Sequence, residues 1–149
     1  MNNMSNNTIY LLTKEEVSFI AGAMGIQQLY GIFSLDSTPD ETELYNILKN
    51  LIEKEFIKCG ENSFIISKEI KDIISLMNKA EEYRVYKTRG NTLPVKCIYK
   101  KDDRVLICEQ SFVNENEVKF MIIPKSELNT LLNDEGYAEN EEVKTDDIN

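Results

Sequence analysis

Apolar positions recur along this chain with two different periods, and the change between them falls near residue 83. Before that point the spacing is helical. Val17, Ile20, Ala21 and Met24 stand at i, i+3, i+4 and i+7 and line one helix face. Thr13 and Glu16 ahead of them make a capping box, with Leu12 and Val17 placed as a hydrophobic staple. Gly25 is the expected stop. Leu44, Ile47, Leu48, Leu51 and Ile52 form a second, unbroken stripe. Thr38-Pro39-Asp40-Glu41 reads as its start, with Pro39 at the first helical position. Ser67 caps a third helix carrying Ile70, Ile73, Ile74 and Met77. Between these two helices, Phe56-Ile57-Lys58 and Phe64-Ile65-Ile66 flank Cys59-Gly60-Glu61-Asn62, a hairpin by its glycine and asparagine. The unit is winged-helix-like in order. Ile9, Tyr10, Leu11 and Leu12 suit a first strand, and 26–35 suits a short helix or a packed turn.

From residue 83 the period is two. Strands are expected near 83–88, 93–99, 104–112 and 118–123, with turns at Arg89-Gly90-Asn91, Lys101-Asp102-Asp103 and Asn114-Glu115-Asn116. Connections this short imply an antiparallel meander. Pro124 ends the last strand. Ser126 is the expected cap of a short helix with Leu128, Leu131 and Leu132, closed by Gly136. The expected fold class is therefore α+β, an antiparallel sheet packed with an N-terminal helical, winged-helix-like unit. One domain would span 8–133, its helical part 8–82 and its sheet part 83–133. Residues 1–7 and the acidic tail 134–149 are expected to be disordered.

Charge sharpens this picture. Of the formal net charge of −9, the tail alone contributes −6, from seven acids and Lys144, without helical periodicity. Residues 84–104 are the opposite, with seven basic residues and two acids. The alternation there suits one solvated sheet face, carrying Arg84, Lys87, Arg89 and Lys96. It also suits a docking surface for an acidic partner or for the protein's own tail. Tyr83, Tyr86 and Tyr99 interleave with the cations and would suit base stacking, but the acidic chain argues against nucleic acid. The helix before the wing gives the same answer. In winged-helix proteins that helix enters the major groove, yet here Asp40, Glu41, Glu43 and Glu53 face only Lys49 and Lys54.

Reaction chemistry is thin. The chain has no histidine, and Cys59, Cys97 and Cys108 form no CxxC pair, so neither metal nor cofactor is expected. The acids sit at helix starts, in turns or in the tail, where solvation and the helix dipole favour them. Phosphate-loop, dinucleotide and nucleophile-elbow motifs are lacking. A non-enzymatic protein is expected. The polar start of the sequence and the lack of a long apolar run point to a cytoplasmic protein without a membrane span.

The stretches LTKEEVSFIAGAMG (12–25), LKNLIEKEFIKCGENSFIISKEIKDIISLM (48–77) and EEYRVYKTRGN (81–91) together resemble one half of an EspG-type protein. EspG-type proteins are the cytosolic chaperones of type VII (ESX) secretion. The resemblance covers roughly 8–132 and rests on apolar and turn patterns. It implies a strand, a helix, a helix-plus-wing unit, another helix and sheet strands, with two such halves related by a quasi-two-fold axis. This chain has length for one half. A homodimer would restore the pair and cover an open sheet edge. The implied partner is a small helical secretion substrate, with Lys101, Asp102, Asp103, Arg104, Asn114, Glu115 and Asn116 at the meander tips as candidate contacts. The alternative is a winged-helix-containing regulator that binds nucleic acid.

Overall fold

Three amphipathic helices pack on one face of a six-stranded antiparallel sheet, and a short helix packs on the other. The architecture comes from a computed structural model, which describes residues 8–26, 39–86, 94–111, 114, 116–134, 137 and 141–143. The expected segments 1–7, most of 26–35, and the turn Arg89-Gly90-Asn91 with Lys87 lie outside them. The fold class is α+β.

Strand β1 (Tyr10–Thr13) leads into α1 (Lys14–Ala23). The reciprocal capping box is formed: Glu16 N–H donates to Thr13 Oγ1, and Thr13 N–H donates to Glu16 Oε1 at 2.8 Å. Helix α2 (Glu41–Glu53) starts later than the sequence suggests, with Asp40 and not Thr38 as N-cap. The 38–43 stretch contains two overlapping signatures, Thr38 with Glu41 and Asp40 with Glu43. The second is the one formed, Asp40 Oδ1 accepting from Glu43 N–H at 2.8 Å. Pro39 thus precedes the cap and does not open the helix.

Both helices end in the same backbone motif. Ile26 N–H donates to Ala21 O and Gly25 N–H to Gly22 O, while Phe56 N–H donates to Leu51 O and Glu55 N–H to Ile52 O. These are Schellman bonds, which need a left-handed residue at the turn. Gly25 takes it at φ 81, and Glu55 at φ 65. The chain then enters the hairpin β2 (Ile57–Cys59) and β3 (Phe64–Ile66), a separate two-stranded sheet. Ser67 caps α3 (Lys68–Lys79), as its sequence suggests.

The meander follows as β4 (Glu82–Tyr86), β5 (Lys96–Lys101), β6 (Arg104–Gln110) and β7 (Glu117–Pro124). A 3-10 turn (Lys125–Glu127) and α4 (Leu128–Asp134) come next. Ser126 lies inside that turn and is not the cap; Pro124 precedes it with no side-chain bond.

The largest departure is the tail. Expected to be disordered throughout, it supplies β8 (Glu141–Val143), which pairs antiparallel with β4 and gives the strand order β1-β7-β6-β5-β4-β8. Tyr137 is 1% exposed, and its N–H donates to Leu132 O at 2.8 Å. One aromatic anchor and backbone pairing outweigh an acidic composition.

The sheet ends in β8 on one side and in β1 on the other. The β4 edge is covered by β8. At the other edge, Lys14 N–H donates to Asn116 O, so Thr13 and Leu11 turn their backbone groups away from β7. Two of those groups are met from within: Glu16 Oε1 accepts from Thr13 N–H, and Lys54 Nζ donates to Leu11 O at 3.2 Å. Lys54 and the buried Glu16 pair at 2.6 Å, fastening the end of α2 to the β1–α1 corner.

Two cores result. On the helix side Ile20, Leu51, Ile70, Ile74 and Met77 meet Tyr99, Leu106, Cys108 and Phe120. On the far side Ile98, Val105, Ile107 and Ile123 meet Leu128, Leu132 and Tyr137.

Candidate functional site

The far side of the sheet is where polar and apolar groups converge. Its register follows from the two-residue turn Asp102-Asp103, which sets Lys101 opposite Arg104 and hence Lys96 opposite Glu109. Ser111 N–H donates to Glu117 O in the β6–β7 pair. Hydrogen-bonded pairs alternate every second residue from Ser111, so Glu109 sends its backbone groups to β7. Toward β5 it therefore faces Lys96 as a non-hydrogen-bonded pair, the closer of the two side-chain spacings. Lys119 stands opposite Glu109 on the other flank.

A cross-strand line of Lys96, Glu109 and Lys119 results, cation–anion–cation. Glu109 Oε1 pairs with Lys96 Nζ, and its Oε2 lies 3.5 Å from Lys119 Nζ. Lys96 is only 3% exposed. Its ammonium lies 4.9 Å from the centroid of the Tyr137 ring, within cation–π range. The Tyr137 hydroxyl donates to Pro94 O. Lys119 is 49% exposed at the rim.

Beside this line the sheet turns apolar, with Ile107 and Met121 opposite one another. Together with Ile9, Tyr137 and the charged line they bound a groove of about 360 Å³. That size falls at the lower end of the range for small-molecule sites, and the lining has the usual mix of apolar walls and few polar groups. A second charged group sits further along the same face. Glu82 pairs with Arg84 and lies 3.7 Å from Lys100. Partial burial opposes ionisation of Glu82, but the Arg84 hydrogen bond and the Lys100 and Arg84 charges prevail and hold its carboxyl below the usual value.

The expected site residues do not assemble. Lys96 is not on a solvated face, because the tail that carries Tyr137 covers it. Arg84 stays on that face but is paired with Glu82. Lys87, Arg89 and Glu115 lie outside the described residues. The two meander tips occupy opposite ends of β6, roughly 20 Å apart at about 3.3 Å per residue. Both are occupied in packing. Asp102, at φ 54, donates its N–H to Glu81, Asp103 O accepts from Lys125 N–H, and Arg104 lies 3.9 Å from Asp72. Asn114 caps its own loop by accepting from Asn116 N–H, and Asn116 Nδ2 donates to Glu15.

A different exposed feature stands out. The wing carries Phe64 and Ile65, 54% and 56% exposed, on its two opposite faces. Leu44 and Tyr45 on α2 are exposed as well. Isolated surface apolars are ordinary; neighbours on both faces of a three-residue strand are less so. By contrast, Cys97 and Cys108 are buried opposite each other, and burial raises both thiols, Cys108 strongly. That makes them inert packing groups. No cluster of three or more metal-ligating side chains occurs among the described residues. No helix among them is long and apolar enough to cross a membrane.

No family model matches the chain, and no curated protein matches it in sequence.

Proposed function

We propose that this is a non-enzymatic protein-binding accessory, cytoplasmic and dimeric, that engages small helical secretion substrates as an EspG-like half. The observation that carries the reading is the wing, whose Phe64 and Ile65 present apolar surface on both faces. Adjacent α2 adds Leu44 and Tyr45. A helical partner would lay its apolar stripe against such a surface. We assign the dimer contact to this helical side, where the exposed apolar residues lie.

The nucleic-acid alternative loses ground on charge. Of the two cations on α2 and its C-cap, Lys54 is engaged with Glu16, leaving Lys49 against Asp40, Glu41, Glu43 and Glu53. Phosphate contacts by several cations are what duplex binding needs.

The test is affinity capture from native cytosol with the parent chain and with Phe64→Ser/Ile65→Ser, read by mass spectrometry. Small helical secretion substrates recovered by the parent and lost by the double variant support the reading. Equal recovery by both removes the wing from it. Light scattering that gives a monomer mass at tens of micromolar removes the dimer.

A further inference from the structure

The geometry points to the groove beside Lys96, Glu109 and Lys119 as a binding site for a small apolar carboxylate, a fatty-acid-like or aryl monoacid. Three observations combine. First, the groove is bounded by Ile9, Ile107, Met121 and Tyr137, which offer contact for an alkyl or aryl body. Second, its polar end is built from a buried ion pair, Lys96 with Glu109, and from a rim ammonium at Lys119. Third, both oxygens of Glu109 already face ammonium groups, Oε1 toward Lys96 and Oε2 toward Lys119. A cationic ligand would find its acceptor engaged and two like charges beside it. An anionic head placed at the rim would meet the half-exposed Lys119, at a line of three side chains whose charges sum to one positive charge, in surroundings where apolar walls reduce screening.

The apolar body explains why the site selects an amphiphile over an inorganic anion. Hydrophobic burial contributes about 0.8 kcal/mol per methylene, so affinity should climb with chain length until the groove is full. The site lies on the face opposite α2 and the wing, so its occupancy is separable from partner capture.

The experiment uses the full chain, with 1-anilinonaphthalene-8-sulfonate as a fluorescent reporter displaced by octanoate, decanoate, 2-naphthoate, decanol or decylamine. We expect displacement by the carboxylates, octanoate about tenfold weaker than decanoate, and decanol and decylamine at least tenfold weaker than decanoate. Octanoate against naphthoate separates alkyl from aryl bodies. Lys119→Glu should weaken decanoate at least tenfold and lower the thermal midpoint somewhat, because the new carboxylate lies beside Glu109; near-UV circular dichroism verifies that the fold is kept. Met121→Trp should block the reporter by filling the groove, with near-UV circular dichroism verifying the fold. If that variant fails to fold, Ile9→Trp at the exposed wall takes its place. Absence of carboxylate binding at millimolar concentration, including through occupancy by the chain's own acidic tail, overturns the inference. So does equal binding of decylamine, or decanoate binding indifferent to Lys119→Glu.

Discussion

The two faces of the sheet are covered in different ways, and the contrast explains which one holds chemistry. On the helix side, the side chains opposite α1–α3 are apolar, from Tyr83 and Val85 through Cys97, Tyr99, Leu106 and Cys108 to Phe120 and Leu12. On the far side, apolar Ile98, Val105 and Ile123 are interrupted by Lys96, Glu109 and Lys119 at one end and by Glu82, Arg84 and Lys100 at the other. One short helix and a single tyrosine cover the middle. A face closed by three helices can be uniformly apolar. A face closed by seven helical residues must remain partly polar, and its polar groups must find one another.

The largest expected effects test whether the two covers differ in strength. Phe120→Ala on the helix side should cost about 3–5 kcal/mol through lost burial and a residual cavity. Tyr137→Ala on the far side should cost less, about 2–4 kcal/mol, because its space adjoins the groove and can fill with water. At about 2–4 °C per kcal/mol, thermal melts resolve both. A Tyr137→Ala variant that melts with the parent would show the tail to be undocked and end the comparison.

Next in size is the buried pair. Lys96→Met leaves Glu109 in a largely apolar setting with Lys119 3.5 Å away, and should cost about 3 kcal/mol, the low end for a broken buried pair. Replacing both, Lys96→Met with Glu109→Leu, should recover most of that, since a well-packed apolar substitute often matches a buried ion pair. Chemical denaturation of the parent, the two single variants Lys96→Met and Glu109→Leu, and the double variant gives the coupling directly. If the double variant is as unstable as the single, the pair contributes net stability, and the polar interruption of this face is structural in its own right.

Much of this was legible in the residues. Period-two spacing is enough to place the strands, but the turn reads in the sequence as Lys101-Asp102-Asp103; only its shorter form, Asp102-Asp103, sets Lys96 opposite Glu109, and without the position of β7 nothing identifies Lys119 as the third member. Tyr137 was hidden for a different reason. Composition averages over seven acids, and a lone aromatic does not alter the average, although with the β8 pairing it fixes where the tail goes. The capping box at Thr13 was readable because nothing competes with it, whereas Thr38 and Asp40 offer two starts two residues apart. The groove was not readable at all, because it depends on Ile9, Met121 and Tyr137 meeting from three separate segments.

Alkaline titration separates the faces more gently. Burial raises the Cys108 thiol and the Tyr99 hydroxyl well above their ordinary values, and Cys97 is raised as well, all on the helix side. The native state thus holds these protons more tightly than the unfolded chain. Stability from this source is complete below the unfolded thiol value near 9.0 and is lost as pH rises past it toward the folded value. Stability should fall as pH rises above about 9, with a slope of at most about 1.4 kcal/mol per pH unit per group. Cys108→Ala should shallow the slope at a lower starting stability. In the native protein only the exposed Cys59 should react promptly with a thiol reagent; rapid reaction of all three would mean that the helix-covered face opens readily.

The smallest effect concerns how that closed face is turned into the wing. Helices α1 and α2 end in the same Schellman arrangement, but one places Gly25 and the other Glu55 at the left-handed position. A left-handed residue with a Cβ costs about 1–2 kcal/mol, which glycine avoids, though glycine loses more conformational freedom on folding. The net expectation for Glu55→Gly is a gain of about 0.5–1 kcal/mol, read as a higher denaturant midpoint with an unchanged slope. The reverse exchange, Gly25→Ala, should lose a comparable amount, since open space around that position leaves backbone strain as the only cost. If Glu55→Gly instead destabilises, the Glu55 side chain contributes more than its backbone costs, and the turn into Phe64 and Ile65 is held by more than the two Schellman bonds. Either way the groove on the far side should be unaffected, so decanoate binding measured on Glu55→Gly checks that the two faces are independent.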